Sequence, residues 1–221
     1  MYDHKKGRRD VVEVFENIID FLEENPTEVI VIILQISSGK PTPKELWTLI
    51  KSIEGIQERV YLHGGGDIWP TMGEFVKSGQ RLIIFQHEGP KCQDEEIDSS
   101  IFFNDCHSRI LDYYHWTVET EFKFNSIKEI EDHETSCIGT RGWNMSTGFY
   151  SVNNFVSPFT GPSKGSSSVL NSEEFLIDRI EQCKEVGRRE PNFIIVDYWS
   201  RGDVVKVTHE VNRQRAKVVI A

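Results

Sequence analysis

Asp197 closes the run Phe193-Ile194-Ile195-Val196 and places a carboxylate where an apolar strand ends. A buried carboxylate without a partner is costly, so it is read as facing a pocket, where it can orient a histidine or hold charge. A helix-cap reading is weaker, because Tyr198-Trp199-Ser200 still separates Asp197 from the next helical pattern. His87 follows a strand over residues 81–85, and His4 precedes Lys5-Lys6-Gly7 and the first helix. Imidazoles titrate near neutrality and suit general acid-base work. Gln35, Glu119 and Asn153 or Asn154 stand at the ends of three further strand patterns. Sites in parallel sheets collect at the C-terminal ends of strands, which is why these positions are singled out. His63, His107, His115, His133 and His209 show no convergent spacing and are read as background.

The elements that must position these residues follow from hydrophobic period. Val11, Val14, Phe15, Ile18, Phe21 and Leu22 have helical spacing, and Asn25-Pro26 ends that helix. Residues 29–34 form a β-branched run apolar on both faces, which favours a covered parallel strand. Helices are expected over 43–53, 71–77 (closed by Gly79), 126–133 and 204–215, and from Asn171 to about 186 with Glu174 completing a capping box. Strands are expected over 60–62, 81–85, 113–120, 148–155 and 193–196. Residues 86–108 read as a polar loop excursion, 158–168 as a Pro/Gly/Ser loop, and Gly64-Gly65-Gly66 as a turn. Helix and strand alternate without a hairpin signal, which means βαβ units in a single parallel domain over residues 1–221. Roughly five to six strands result, counting Met1-Tyr2-Asp3 as the stub of one, where a closed parallel barrel has about eight. The shortfall is at the front.

Composition narrows the functional classes. With 38% hydrophobic and 11% aromatic residues the chain can build a core. A net charge of -10 argues against nucleic acid, which needs clustered Lys and Arg; the one basic cluster, Lys5 to Arg9, is short. No glycine-rich nucleotide loop follows a strand. No apolar run approaches the length of about 18 residues needed to span a bilayer, and no signal peptide is expected. The four cysteines, 92, 106, 137 and 183, fit no zinc spacing, and the count leaves two disulfides and four free thiols equally open. Asn144-Met145-Ser146 is a sequon of a kind common by chance.

Several blocks resemble the phosphatidylinositol-specific phospholipase C X-domain family, of the secreted eukaryotic type. These are His4-Lys5-Lys6-Gly7, Phe21-Leu22-Glu23-Glu24-Asn25-Pro26-Thr27-Glu28-Val29-Ile30, Trp69-Pro70-Thr71-Met72-Gly73-Glu74, Val152-Asn153-Asn154-Phe155-Val156 and Pro191-Asn192-Phe193-Ile194-Ile195-Val196-Asp197-Tyr198-Trp199. The resemblance implies a TIM-like (β/α) barrel, incomplete here because its first strands are missing. It also implies a phosphoric diester hydrolase acting on a phospholipid such as phosphatidylinositol. One histidine deprotonates the inositol 2-hydroxyl, a second protonates the leaving alcohol, and an arginine or calcium ion stabilises the transition state. By resemblance His4 is the general acid and Asp197 the late aspartate that orients the base. Gln35, Glu119 and His87 are expected to bind substrate. The base histidine and any calcium ligands fall before His4 in the family order, so no metal ligand or cofactor is assigned, and impaired turnover is expected. Secretion is implied, with disulfides among the four cysteines and peripheral membrane contact; a cytoplasmic location is the alternative. Trp47, Trp69, Trp143 and Phe155 are either rim anchors or core. The rival functional readings are an inactive lipid- or phosphate-binding barrel and a metal-dependent glycerophosphodiester phosphodiesterase.

Overall fold

The computed structural model describes residues 10–35, 41–63, 68–87, 109–142, 148–159 and 161–220. These fall into two compact units that divide between Trp116 and Thr117.

The first unit begins with α1, Val11–Glu24, whose N-terminus is capped by the Asp10 carboxylate accepting from the Val12 amide at 3.0 Å. Its apolar stripe, Phe15, Ile19 and Leu22, is buried. Strands β1 (Ile30–Leu34), β2 (Leu82–Gln86) and β3 (Ile110–Asp112) form a parallel sheet in the order β1-β2-β3. Helices α2 (Pro43–Ile50), α3 (Ile56–Arg59) and α4 (Met72–Ser78) lie between β1 and β2, and α5 (Tyr113–Trp116) follows β3. Thr42 with Glu45, and Thr71 with Glu74, build reciprocal capping boxes that start α2 and α4. Alternate strand residues Ile30, Ile32, Leu34, Leu82, Ile84 and Ile110 pack with Phe15, Ile19, Leu22, Leu46 and Ile50. Each such side chain, fully buried, contributes about 1.5–3 kcal/mol. Arg81, just before β2, is 5% exposed and donates to the carbonyls of Asn25 (2.8 Å) and Glu28 (2.9 Å) and to Leu22. It thereby ties the end of α1 to the turn that leads into β1.

The second unit holds β4 (Thr117–Thr120), α6 (Ile127–Glu131), α7 (His133–Ser136), β5 (Gly139–Arg141) and β6 (Phe149–Asn154). It continues with α8 (Lys164–Leu170), α9 (Glu173–Gly187), β7 (Phe193–Val196) and α10 (Val204–Ile220). The sheet order is β5-β4-β6-β7, with β4, β6 and β7 parallel and β5 antiparallel to β4. Val118, Tyr150, Val152 and Ile194 form one face and pack with Cys137, Cys183 and Val186. A disulfide joins Cys137 to Cys183 with Cα atoms 4.8 Å apart. Gly187 closes α9 against the Tyr150 ring, 2.8 Å from where a Cβ would stand. Arg179 on α9 is fully buried. Its guanidinium donates to the carbonyls of Ile130 (3.2 Å), Ser136 (3.0 Å) and Asn153 (3.1 Å) and to the Ser136 hydroxyl.

The expected TIM-like barrel is not what forms. Two small sheets, of three and four strands, appear instead, and no closed barrel exists among the described residues. The physical reason lies between 110 and 120. Residues 113–120 were expected as one strand, but Tyr113–Trp116 takes a helical turn that ends the parallel ladder at Asp112. Beyond it, one edge of β4 is occupied by antiparallel β5, a pairing the absence of a hairpin signal did not anticipate. Of residues 60–62 only Val60 makes a bridge, to Leu82. The loop expected over 158–168 contains α8, started by Ser163 accepting from the Ser166 amide. The Asn171–Glu174 capping box is absent; Ser172 is the N-cap of α9, and it makes no side-chain cap bond. Met1–Asp3, the basic cluster 5–9, Gly64–Gly66, Cys92, Cys106, Trp143 and the sequon at Asn144 lie outside the described residues. No helix among the described residues is long and apolar enough to cross a membrane.

Candidate functional site

Strands β4 and β6 bury polar side chains on one face. Thr117, Glu119, Ser151 and Asn153 are each between 0% and 3% exposed, and their even-numbered neighbours point into the apolar layer under α9. The period of two puts all four on the same side, because Glu119 is in register with Ser151. Burying polar groups on a sheet face costs free energy unless they are hydrogen-bonded.

Glu119 is the centre of the partnership. Its Oε1 accepts from Asn153 Nδ2 at 2.9 Å, and its Oε2 pairs with the Arg141 guanidinium. Arg141 stands directly opposite Glu119 in the antiparallel ladder, and its Cζ lies 4.1 Å from the centre of the Phe122 ring. The ring and the carboxylate together fix the guanidinium plane. Asn153 is fixed in turn: its amide N–H donates to Thr120 Oγ1 (2.9 Å) and its side chain donates also to the Thr120 carbonyl (3.0 Å). Next to this group, the Glu121 carboxylate accepts from the amides of Phe122 (2.8 Å) and Lys123 (2.9 Å), which hold it below its ordinary pKa. The Glu119 side chain is 5% exposed and that of Arg141 28%, so the cation reaches outward from a sheltered anion. A planar guanidinium held in this way suits phosphate or carboxylate recognition.

Asp197 follows β7 at the same C-terminal edge and is half-buried. The registers Glu119–Ser151 and Ser151–Phe193 place it four residues beyond the level of Glu119. That is about 13 Å along the strands, too far for contact. Asn154, buried at the end of β6, donates to the Leu170 carbonyl at 2.9 Å.

In the first unit, Gln35 and His87 end adjacent strands. The His87 amide donates to the Leu34 carbonyl at 2.7 Å, so the two residues are neighbours across the ladder. Gln35 is exposed; His87 is 7% exposed and stacks on Tyr113 with centroids 4.6 Å apart. Its Nδ1 lies 3.3 Å from the Tyr114 hydroxyl. His63, read as background, is buried between Trp69 and Trp116 with ring centroids at 4.8 and 4.2 Å, a packing position. Trp47 and Phe155 are buried, so neither is a rim anchor, and Trp69 belongs to the same aromatic cluster as His63. His4 lies outside the described residues.

Thus the structure pairs Gln35 with His87 in one sheet and places Glu119 and Asp197 on one edge of the other. Sequence reasoning missed Arg141, since three-residue β5 has no alternation to reveal it. Among the described residues no group of three or more His, Cys, Asp or Glu side chains is arranged to hold a metal ion.

The family model PI-PLC X 1 matches residues 4–212. The chain is 23% identical over 216 residues to PI-PLC X domain-containing protein 1 of Arthroderma benhamiae, covering 91% of this chain and 64% of that protein. It is 24% identical over 216 residues to PI-PLC X domain-containing protein At5g67130 of Arabidopsis thaliana, covering 94% of this chain and 45% of that one. The chain therefore spans less than two thirds of either relative. No solved structure matches.

Proposed function

The chain belongs to the PI-PLC X domain family, and from that premise we propose that it cleaves a phosphodiester in a phospholipid such as phosphatidylinositol. The observation that carries this reading is the polar face of the second sheet, where a buried carboxylate and amide hold a partly exposed guanidinium near the strand ends. A hydrophobic core has no need of such a group, whereas a headgroup rich in hydroxyls and phosphate does.

In this reading Arg141 supplies positive charge toward the phosphate, and Glu119 and Asn153 fix its direction. Asp197 takes the place of the family's aspartate that orients a base histidine, for which residues 1–3 supply no candidate, and His4 protonates the leaving alcohol. Gln35 and His87, neighbours at the strand ends of the first sheet, are read as substrate-binding residues within their own unit. Phe159, Tyr198 and Trp199 are exposed in the segments after β6 and β7, which supports contact with a lipid interface. The Cys137–Cys183 disulfide supports residence in an oxidising, extracellular compartment.

The test uses vesicles containing phosphatidylinositol, with binding and release of inositol phosphate measured for the chain and for His4→Ala, Arg141→Met and Asp197→Asn. Turnover that falls at least tenfold in all three variants is the expected result. Binding without turnover, weakened by Arg141→Met, assigns the chain to the inactive phosphate-binding alternative. Loss of neither property in Arg141→Met removes the polar face from the site.

A further inference from the structure

We propose that Asn171 is a positioning residue for Asp197, acting by gripping both ends of the segment 197–203. The inference rests on the proposed place of Asp197 in the site. Asn171 lies between α8 and α9 and is 1% exposed. Its Nδ2 donates to the carbonyls of Asp197 (2.9 Å) and Tyr198 (3.3 Å). Its own carbonyl accepts from the Asp203 amide at 2.7 Å. One buried residue therefore fixes where the segment leaves β7 and where it enters α10.

Two backbone features show that this segment is held and not merely placed. Tyr198 has φ 48, a left-handed conformation that an aromatic residue rarely adopts. Such a conformation persists where neighbours over-determine it, and here Asn171 and the Arg201 amide (2.7 Å) both donate to the Tyr198 carbonyl. Gly202 has φ 89, and a Cβ there would stand 2.3 Å from the Asn171 carbonyl oxygen. Only glycine lets the segment close this tightly. Asp203 completes the closure, its Oδ2 accepting from the Glu173 amide at 3.2 Å. The Asn171 side chain is thus committed to the segment after β7 and not to capping the helix that follows it. The left-handed turn at Tyr198 reverses the chain immediately after Asp197 and keeps that residue at the sheet edge.

The test measures kcat, KM and the pH profile of phosphatidylinositol cleavage for Asn171→Ala, Gly202→Ala, Asp197→Asn and the double variant Asn171→Ala/Asp197→Asn. Asn171→Ala and Gly202→Ala should each lower kcat by about 10- to 100-fold with KM little changed, the scale expected when a positioned group shifts by about 1 Å. In the Asp197→Asn background, Asn171→Ala should add nothing. Hydrogen exchange at the Arg201 and Asp203 amides should quicken in Asn171→Ala while β6 amides stay protected. An equal loss from Asn171→Ala in both backgrounds would leave the site standing and reduce Asn171 to a structural part. If Asp197→Asn leaves turnover unchanged, or the chain has no turnover to measure, the site assignment itself fails and this inference falls with it. Gly202→Ala approaches the same contact from the other side, so it decides the matter if Asn171→Ala does not fold; wild-type kcat in folded Gly202→Ala overturns the proposal.

Discussion

Arg141→Met and Glu119→Leu should each destabilise the chain, and the double variant should be destabilised by less than the two single effects added. The coupling follows from exposure. Arg141→Met leaves a carboxylate that is 5% exposed without its cation, whereas Glu119→Leu leaves a guanidinium that is 28% exposed and can still find water. Removing one member of a buried pair costs about 3–5 kcal/mol, and that range applies to Arg141→Met. For Glu119→Leu the greater exposure of the remaining charge lowers the figure to about 2–3 kcal/mol. Replacing both charges with apolar groups of similar size is in itself close to neutral, because the desolvation penalty leaves together with the attraction. Glu119→Leu and the double variant also leave one N–H of the buried Asn153 amide without its acceptor, a further cost of about 1–3 kcal/mol, while the other N–H keeps the Thr120 carbonyl. Urea unfolding followed by circular dichroism reads the differences, at a slope of about 2 kcal/mol per molar. Additive single effects, with a coupling below about 0.5 kcal/mol, would refute the reasoning and show that the two charges do not depend on one another.

Reduction of the Cys137–Cys183 disulfide, which closes a loop of sequence separation 46, should cost about 4 kcal/mol by loop entropy; an unchanged urea midpoint in reductant would count against the link. Tyr150 donates to the Cys137 carbonyl, and burial raises its pKa from 10.0 to about 12. The unfolded chain therefore gives up this proton first, so stability should fall as pH rises from about 10 to 12, by on the order of 2 kcal/mol. Tyr150→Phe should remove that slope, and a slope unchanged by the substitution would place its origin elsewhere.

The parts legible in the sequence were those set by local period and by end signals. The helix Val11–Glu24 and the strands Ile30–Leu34, Leu82–Gln86, Phe149–Asn154 and Phe193–Val196 stand close to where apolar spacing put them. Tyr113-Tyr114-His115-Trp116 has strand-like composition, yet forms a helical turn because its rings pack elsewhere: Tyr113 on His87 and Trp116 on His63. Tertiary ring contacts outweigh β propensity, which is itself mostly a statement about context. Helix α8 was hidden by its Lys-Gly-Ser-Ser-Ser start; Ser167 and Ser168 turn back onto the carbonyls of Ser163 and Lys164 at 3.0 Å each. At the site, Asp197 and Glu119 were visible because an acidic residue at an apolar strand end is costly. Arg141 was invisible because its partner lies 22 residues away across an antiparallel pairing that no turn residue announces. Asn171 was read as a cap, the commonest use of asparagine at a helix start, while Asp203, from the far side of the sheet segment, bonds the first amide of that helix instead.

The buried Arg179 carries a consequence for which sequences this unit can tolerate. Its acceptors are dispersed: three carbonyls, from the end of α6, the end of α7 and the end of β6, and one hydroxyl. A guanidinium meets them because its donors are spread over a planar fork. A lysine at the same place would carry the same charge with all its donors on one nitrogen, leaving carbonyls at one end or the other unanswered. Charge conservation is therefore not conservation here. What position 179 requires is a shape, and of the twenty side chains only arginine has it.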